Sequence, residues 1–301
     1  MTEQAPPTDV GTRFVCGLIG GGIGRSLSPG MHEAEADRRG MHYAYRTVDI
    51  AELGLSAEQG VGLIRPACHL GFSGLNITHP CKRLAVEHVD ELSPEAAQIG
   101  AINTVVFTDG RAVGHNTDVT GFALGLRRDM PGAELDHVVQ IGAGGAGAAV
   151  AHALVGLGAA ELTIVDVDED RARALASSVS AATGAAVIGV ATERLGDNLR
   201  RADGVVNCTP VGMTHHPGLP FDPNLLHEEH WLVDVIYRPL VTELVRAARE
   251  RGCRTATGAG MAIGQAADSF HLFTGVRADP ADFAQHFDRL IALEGADRAN
   301  P

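Results

Sequence analysis

Long apolar runs are missing from the 301-residue sequence, because His, Glu, Arg and Gly interrupt each one before the ~20 residues that a membrane-spanning helix needs. Apolar residues still make up 45% of the chain and charged residues 20%, a balance typical of globular proteins. The length predicts about two domains with a large buried core. A membrane-spanning protein is therefore excluded at this stage.

Positive charge is also scarce, since 24 Lys and Arg residues face 37 Asp and Glu residues and the net charge is −13. This balance suits neither a nucleic-acid backbone nor an anionic membrane surface. We therefore expect a small-molecule substrate, with no nucleic-acid or membrane partner. The chain could be a monomer or a homodimer.

Paired cysteines and metal-binding motifs are absent as well. The five cysteines are widely spaced and form no C-x-x-C pair, and no H-E-x-x-H sequence occurs, so neither a disulfide framework nor a metal site is expected. Residues 1–11 lack the basic and apolar regions of a secretory signal. These features predict reduced thiols and a cytoplasmic location.

Short β-rich segments alternate with helical ones, which predicts an α/β fold. A first block has strands over Phe14–Ile19, Tyr43–Asp49, Leu75–Ile77 and Ile102–Phe107, with a helix over Pro29–Arg39. A second block reads as a parallel sheet with crossover helices: strands Leu135–Ile141, Glu161–Asp166, Gly204–Asn207 and Trp231–Ile236, helices Ala148–Leu157 and Asp168–Ser178. The tail, Met261–Glu294, is predicted to be helical and to pack back on the first block.

A complete G-x-G-x-x-G motif follows the first strand of the second block and precedes a helix. It consists of Gly142, Ala143, Gly144, Gly145, Ala146 and Gly147. Glycines at this spacing let backbone N–H groups at a helix N-terminus approach a pyrophosphate. Asp166, 24 residues beyond Gly142, stands where a carboxylate can bind the adenosine ribose. The pattern predicts dinucleotide binding.

A second glycine cluster, Gly20–Gly24, has spacing unsuited to a pyrophosphate, although Asp49 lies at a superficially suitable distance. Ser28 is predicted to cap a helix that begins at Pro29. The free N–H groups there, with the hydroxyls of Ser26 and Ser28, would suit a carboxylate. The alternative is that Ser28 only caps the helix.

Polar residues also follow the apolar segments elsewhere in the first block. Lys82 comes after a proline turn, and Asn103 and Asp118 stand at the ends of apolar segments. Taken singly, each is more simply explained as a solvated lysine, an Asx turn or a helix cap.

Taken in order, however, the motifs form a more specific pattern: S-x-S-P, N-x-T-x-P-x-K, N-T-D-x-x-G, G-x-G-x-x-G, N-x-T-P-x-G-M and a helix with Met261 and Gln265. In this order they resemble the shikimate dehydrogenase family, over about Val15 to Gly275. The branch that uses NAD and accepts both quinate and shikimate is the most similar.

The resemblance implies two domains with the active site in the cleft between them. Residues 1–118, completed by the C-terminal helices of 257–301, would bind substrate, and residues 119–256 would form a Rossmann-type NAD-binding domain. Lys82 and Asp118 match the catalytic pair. Substrate-binding positions are Ser26, Ser28, Asn76, Thr78, Asn103, Tyr237 and Gln265; beside the glycine motif, cofactor-binding positions are Asp166, Asp168, Arg171, Thr209, Met213, Gly258 and Met261.

The implied activity is reversible oxidation of shikimate to 3-dehydroshikimate, in which hydride moves to the nicotinamide and Lys82 handles the hydroxyl proton. NADP-using members typically carry Asn-Arg-Thr where this chain has Asp166-Val167-Asp168, which indicates NAD. The alternatives are a primary quinate dehydrogenase and a non-catalytic sensor on the same fold.

Three departures from the common family pattern bear on the substrate: Arg25 in place of His, Gly22 in place of Pro, and Glu33 in place of Asn. The Met31–Glu35 run favours the dual-substrate branch, whereas Ser26-x-Ser28 favours shikimate specialists. We give the serines more weight and expect Glu33 and Glu35 to be solvated.

Overall fold

The computed structural model describes residues 12–299 and contains two six-stranded sheets. The strands are β1 (Arg13–Gly20), β2 (His42–Asp49), β3 (Gly74–Ile77), β4 (Glu91–Leu92), β5 (Thr104–Thr108), β6 (Arg111–His115), β7 (His137–Ile141), β8 (Glu161–Asp166), β9 (Ala186–Ala191), β10 (Gly204–Asn207), β11 (Trp231–Asp234) and β12 (Arg254–Ala256). The helices are α1 (Ser28–Arg38), α2 (Ala57–Val61), α3 (Ile64–His69), α4 (Pro94–Ile99), α5 (Asp118–Asp129), α6 (Gly145–Gly156), α7 (Glu169–Thr183), α8 (Leu195–Leu199), α9 (Glu243–Glu250), α10 (Ala259–Thr274) and α11 (Pro280–Ala299). The α/β fold class is confirmed.

The first sheet has the order β2-β1-β3-β5-β6-β4 and is mixed. β1 pairs in parallel with β2 and β3, but β5 is antiparallel to β3 and forms a hairpin with β6. Asp109 and Gly110 form the hairpin turn with φ values of 52° and 74°, the combination that two-residue hairpins favour. The sequence analysis missed β4 and β6, because both are short and lack an apolar run.

The second sheet has the order β12-β11-β10-β7-β8-β9 and is parallel throughout. Its central strands are buried along their whole length, β7 (HVVQI) and β10 (GVVN) among them, as expected where helices cover both faces. The predicted strands are found here; β9 and β12 are additional, and α6 begins three residues earlier than predicted.

The tail is helical, as predicted, and consists of two helices. α10 ends at Gly275, which has a left-handed φ of 72°, and α11 begins at Pro280; a left-handed glycine is a common helix terminator. Phe270, Phe283 and Phe287 pack with Leu27 and Met31 in one buried cluster. The tail therefore covers the α1 side of the first sheet, as predicted.

Helices α5 and α10 touch backbone to backbone. A Cβ on Gly121 would lie 2.7 Å from Met261 O and Gln265 N, and one on Gly125 would lie 3.0 Å from Gly260 Cα. No side chain fits at this crossing. The two helices that carry Asp118 and Gln265 are therefore packed closely together.

Candidate active site

The predicted catalytic residues Lys82 and Asp118 meet. Lys82 follows β3 in a turn that accepts a hydrogen bond from Ile102 N at its carbonyl, and Asp118 is the first residue of α5. Lys82 Nζ lies 2.5 Å from Asp118 Oδ2, and the two side chains are 16% and 6% exposed. The ammonium group is therefore held beside a largely buried carboxylate, accessible from one side.

Asn103 fixes the other oxygen of that carboxylate. Its Nδ2 donates to Asp118 Oδ1 at 3.0 Å and to Thr117 Oγ1 at 3.0 Å, while its Oδ1 accepts from Thr117 N at 2.8 Å. Asn116 Oδ1 accepts from Asp118 N at 3.1 Å. These bonds set the orientation of the Asp118 carboxylate, and the Lys82 ammonium faces its remaining oxygen.

The Asn76 side chain is buried and hydrogen-bonded within the protein. It is 4% exposed, its Oδ1 accepts from Tyr45 OH at 2.7 Å, and its Nδ2 donates to Thr104 Oγ1 at 3.1 Å. Thr78 is half-buried, with its methyl group against Gly20. Asn76 is thus part of the wall that supports the site, and Thr78 lies at its edge.

Ser28 does not cap the first helix, which corrects the expectation from sequence. α1 begins at Ser28 itself, with Leu27 at the cap position and no side-chain cap. Instead Ser26 Oγ accepts from Ser28 N at 3.3 Å. Burial raises the pKa of Tyr237, opposed by a hydrogen bond to Ser26. The three hydroxyl residues named for the substrate carboxylate are therefore gathered at the start of α1.

Glu35 is not solvated, contrary to expectation, and Glu33 is only partly exposed. Glu35 is fully buried; burial alone would raise its pKa, but hydrogen bonds from Arg38, Arg39 and His286 outweigh it and hold the pKa at about 2. Glu33 is half-buried and its Oε1 accepts from Tyr45 N at 3.0 Å. Both carboxylates have structural partners around α1.

The first glycine cluster is bound by a carboxylate of the chain itself. Asp49 accepts hydrogen bonds from Gly22 N at 2.9 Å, Ile23 N at 2.6 Å and Gly24 N at 3.1 Å. Burial would raise the pKa of Asp49, but these backbone donors hold it below its usual range. This explains why Asp49 stands at a nucleotide-like spacing without serving a nucleotide.

The second glycine cluster has the shape of a pyrophosphate cradle. Gly142 adopts a φ of 102°, and a Cβ on Gly147 would lie 2.2 Å from Gly142 O, so neither position tolerates a side chain. A Cβ on Gly144 would face open space. Behind this opening the first turn of α6 presents N–H groups that lack intrahelical partners. These residues fit a dinucleotide.

The glycine turn lies directly against Lys82. A Cβ placed on Gly145 would be 3.6 Å from Lys82 Cβ and 3.7 Å from Lys82 Cδ. Residues that follow strands of the two sheets therefore line one site, with Lys82 and Asp118 on one side and the glycine turn on the other.

Asp166 and Asp168 follow β8 next to this turn. Asp166 is 7% exposed and accepts from Ala143 N at 2.7 Å, while Asp168 caps α7 by accepting from Arg171 N at 3.2 Å. The Arg171 guanidinium lies 3.9 Å from Asp166 Oδ1 and 3.5 Å from Asp168 Oδ2. One cation faces two carboxylates, so the local charge stays negative.

The remaining cofactor positions lie on three segments. Thr209 Oγ1 donates to Asn207 Oδ1 at 2.7 Å, and Met213 is 38% exposed at the end of the same loop. Gly258 is buried, and a Cβ there would lie 2.0 Å from Val235 O. In the adjoining α10, Met261 is half-buried, and the Gln265 carbonyl accepts from Thr117 Oγ1 at 3.2 Å.

Sequence reasoning missed two residues that shape the site. Thr117 bonds both Asn103 and Gln265, and it stood within the N-T-D motif without being assigned a role. Tyr45, which binds Asn76, sits on β2 in a stretch with no distinguishing signal. Partners buried behind an active site leave little trace in local sequence.

Within residues 12–299, no three His, Cys, Asp or Glu side chains group closely enough to hold a metal ion. The helices of that same part are all too short or too polar to cross a membrane. The five cysteines are unpaired thiols.

A dinucleotide cradle that touches a lysine–carboxylate pair defines an oxidoreductase that uses a pyridine nucleotide. Residues 18–105 match the family model "Shikimate dehydrogenase substrate binding domain". The chain is 51% identical to the NADP-dependent shikimate dehydrogenase of Pseudarthrobacter chlorophenolicus, over 93% of this chain and 96% of that protein. The chain belongs to the shikimate dehydrogenase family.

Two further similarities fall on the branch that the motifs indicated. The NAD-dependent quinate/shikimate dehydrogenase of Corynebacterium glutamicum strain R is 48% identical, over 91% of this chain and 98% of that protein. A solved structure of quinate dehydrogenase from Corynebacterium glutamicum in complex with NAD superposes with a TM-score of 0.84 at 47% identity, covering 91% and 98% of the two chains. Both the family and the two-part fold predicted from the motifs are confirmed.

Proposed function

We propose that the protein is an NAD-dependent shikimate dehydrogenase that interconverts shikimate and 3-dehydroshikimate, with quinate as a second substrate. The observation that carries the proposal is the Lys82–Asp118 pair lying against Gly145 of the dinucleotide turn. With dinucleotide bound at this turn, a hydride acceptor and a proton-transfer group would face the same substrate molecule.

The bound nicotinamide would supply hydride transfer, and the protein would manage the proton. In oxidation the neutral amine of Lys82 would take the proton from the substrate hydroxyl and become an ammonium group, and in reduction that ammonium group would return the proton. Asp118 orients the ammonium group and accepts a hydrogen bond from the same hydroxyl, while Asn103 keeps the carboxylate in place. The low exposure of both side chains limits competition from water.

Substrate would lie between the proton-transfer pair and the start of α1. Ser26, Ser28 and Tyr237 would hold its carboxylate; Asn76, Thr78, Asn103 and Gln265 would surround its ring hydroxyls. The presence of two separate sheets supports the proposed division into two domains. Residues 1–118 with residues 257–301 would form the substrate-binding domain, and residues 119–256 would form the NAD-binding domain. Residues 1–11 lie outside the described part.

NAD is favoured over NADP by the charges next to the ribose position. The 2′-phosphate of NADP would approach Asp166 and Asp168, and Arg171 is already shared between them. The named relatives include both an NADP-dependent and an NAD-dependent enzyme. The proposal of NAD therefore rests on Asp166, Asp168 and Arg171 and not on the relatives.

Shikimate is favoured over quinate by the serine pair. Quinate carries an additional hydroxyl on the carbon that bears its carboxylate, and a site unable to pair that hydroxyl loses about 1–3 kcal/mol. The relatives named for quinate make quinate dehydrogenase the second candidate.

We further propose a cytoplasmic location, a monomeric or homodimeric state and no nucleic-acid or membrane partner. The net charge of −13 supports the absence of polyanionic partners.

One assay tests these proposals together. The purified protein is mixed with shikimate or quinate and with NAD or NADP, and reduced nicotinamide is followed by absorbance. We expect the highest kcat/KM with shikimate and NAD. Binding of dinucleotide without turnover of either acid would instead support a non-catalytic sensor.

A further inference from the structure

The buried end of strand β11 carries a carboxylate that the reaction itself does not use. We propose that Asp234 is a positioning residue for the dinucleotide: through Asn207 and Thr242 it holds the loop of residues 208–213 against the glycine turn. The inference rests on the proposed dinucleotide-binding function. It concerns how that loop is held, whichever of the two dinucleotides is bound.

Asp234 and Asn207 end neighbouring strands and are paired in register. Both residues are 0% exposed, and Asn207 Nδ2 donates to Asp234 Oδ1 at 3.1 Å. A carboxylate can only accept hydrogen bonds, so it fixes which end of the neighbouring amide faces it. Asp234 therefore sets the orientation of the Asn207 side chain.

Both ends of the Asn207 amide contact the loop, since Nδ2 also donates to Val211 O at 3.4 Å. Asn207 Oδ1 accepts from Thr209 N at 3.0 Å and from Thr209 Oγ1 at 2.7 Å. If the amide turned over, its NH2 group would face two donors. The carboxylate, together with the Val211 carbonyl, thus favours the amide orientation that holds Thr209, one of the proposed cofactor residues.

Thr242 connects Asp234 to the far end of the loop. Its Oγ1 donates to Asp234 Oδ2 at 2.7 Å, and a Cβ on Gly212 would lie 3.5 Å from Thr242 Cβ. At the near end, a Cβ on Gly142 would lie 3.0 Å from the carbonyl carbon of Cys208. The loop therefore packs against the glycine turn at its near end and lies beside Thr242 at its far end.

Burial raises the pKa of Asp234 to about 6, and hydrogen bonds from Thr242, Ile236 and Asn207 oppose that effect. Keeping an ionisable group in such surroundings costs folding free energy. Outer-shell groups that orient ligand-binding residues often carry such a cost.

The test compares dinucleotide binding in four purified proteins by titration of NADH and of NADPH, followed by nucleotide fluorescence. Asp234→Ala should raise Kd about tenfold, the lower end of the effect seen when an orienting partner is removed. Asp234→Asn keeps an acceptor towards Asn207 and should stay within about threefold of the native value. The matched control is Asp203→Ala. Asp203 lies at the opposite end of β10, where its carboxylate accepts a hydrogen bond from His137 N at 2.8 Å, and the substitution removes that bond.

We expect the control to keep the native Kd, and the KM for shikimate to change less than about twofold in Asp234→Ala. A native Kd in Asp234→Ala, an equal rise in Asp203→Ala, or no recovery in Asp234→Asn would each overturn the inference. If Asp234→Ala does not fold, Asn207→Ser removes the connecting amide and should give the same rise. Native protein that binds neither nucleotide would overturn the proposed function as well.

Discussion

Lys82 Nζ and Asp118 Oδ2 lie 2.5 Å apart although the two residues are 36 positions apart in the chain. One follows a strand and the other begins a helix, so the pair exists only in the folded protein. Because the pair is largely buried, each group needs the other to remain in place.

Replacing the lysine should therefore affect catalysis more than binding. Lys82→Ala should lower kcat by about 100-fold or more, as expected for loss of a general acid–base group, with a smaller change in KM. Arg83→Ala removes the same charge from the next, exposed position and should leave kcat near the native value. Steady-state kinetics with shikimate and NAD measure kcat and KM of the two variants. An unchanged kcat in Lys82→Ala would contradict the proposed proton-transfer role of Lys82.

The paired carboxylate should not contribute independently. Asp118→Asn should reduce kcat and raise KM together, because Asp118 pairs with Lys82 and is proposed to contact substrate as well. The double variant with Lys82→Ala should be little worse than the worse single variant, as for residues that act as a unit. Fully additive losses in a double-mutant cycle would show that the two residues act separately.

Cofactor choice should depend on charge beside the ribose. At 4 Å and an effective dielectric constant of 20, two unit charges interact by about 4 kcal/mol before screening. Asp168→Ser keeps a helix-capping side chain, removes one carboxylate, and should raise kcat/KM for NADP relative to NAD. Asp170→Ser removes an equal charge from an exposed position two residues further along and should not. Equal efficiency with both nucleotides in the native protein would contradict the NAD assignment.

Substrate preference should depend on the hydroxyls at the start of α1. The native protein should use shikimate about tenfold to hundredfold better than quinate, in kcat/KM at saturating NAD. Ser28→Thr keeps the hydroxyl, adds a methyl group, and should narrow that ratio. A native quinate value equal to or above that for shikimate would contradict the preference.

Stability should depend on pH through Asp234. Its pKa rises from 3.8 to about 6 in the folded protein. The protein is therefore more stable when Asp234 is protonated: this contribution to the free energy of unfolding is fully present below about pH 4 and is lost as the pH rises through 6. Asp234→Asn should therefore unfold with a free energy higher by up to about 3 kcal/mol at pH 7.5. Urea unfolding should show this gain shrinking towards pH 4; a gain that grows in acid would contradict it.

Much of the site was predictable because its residues stand at element ends within ordered motifs. Lys82, Asp118 and the Gly142 turn could be placed from sequence, and the structure brings them together. The cap at Ser28 was wrong because a helix start is ambiguous by a residue when serine and proline are adjacent. The solvation of Glu35 was wrong because its partners include His286, which is 251 positions away; local sequence cannot show such a contact.

The carboxylate of Asp49 acts within the first glycine loop as a permanently bound anion. Three consecutive amides of the first loop bind the Asp49 carboxylate, and in the second loop one amide, that of Ala143, binds Asp166. The segment leading to Ser26 is thus held in shape before any ligand arrives, so little ordering entropy is lost there when substrate binds. The two glycine loops therefore differ in role although their sequences are similar. The first is held rigid by Asp49, and the second is the one proposed to bind the dinucleotide.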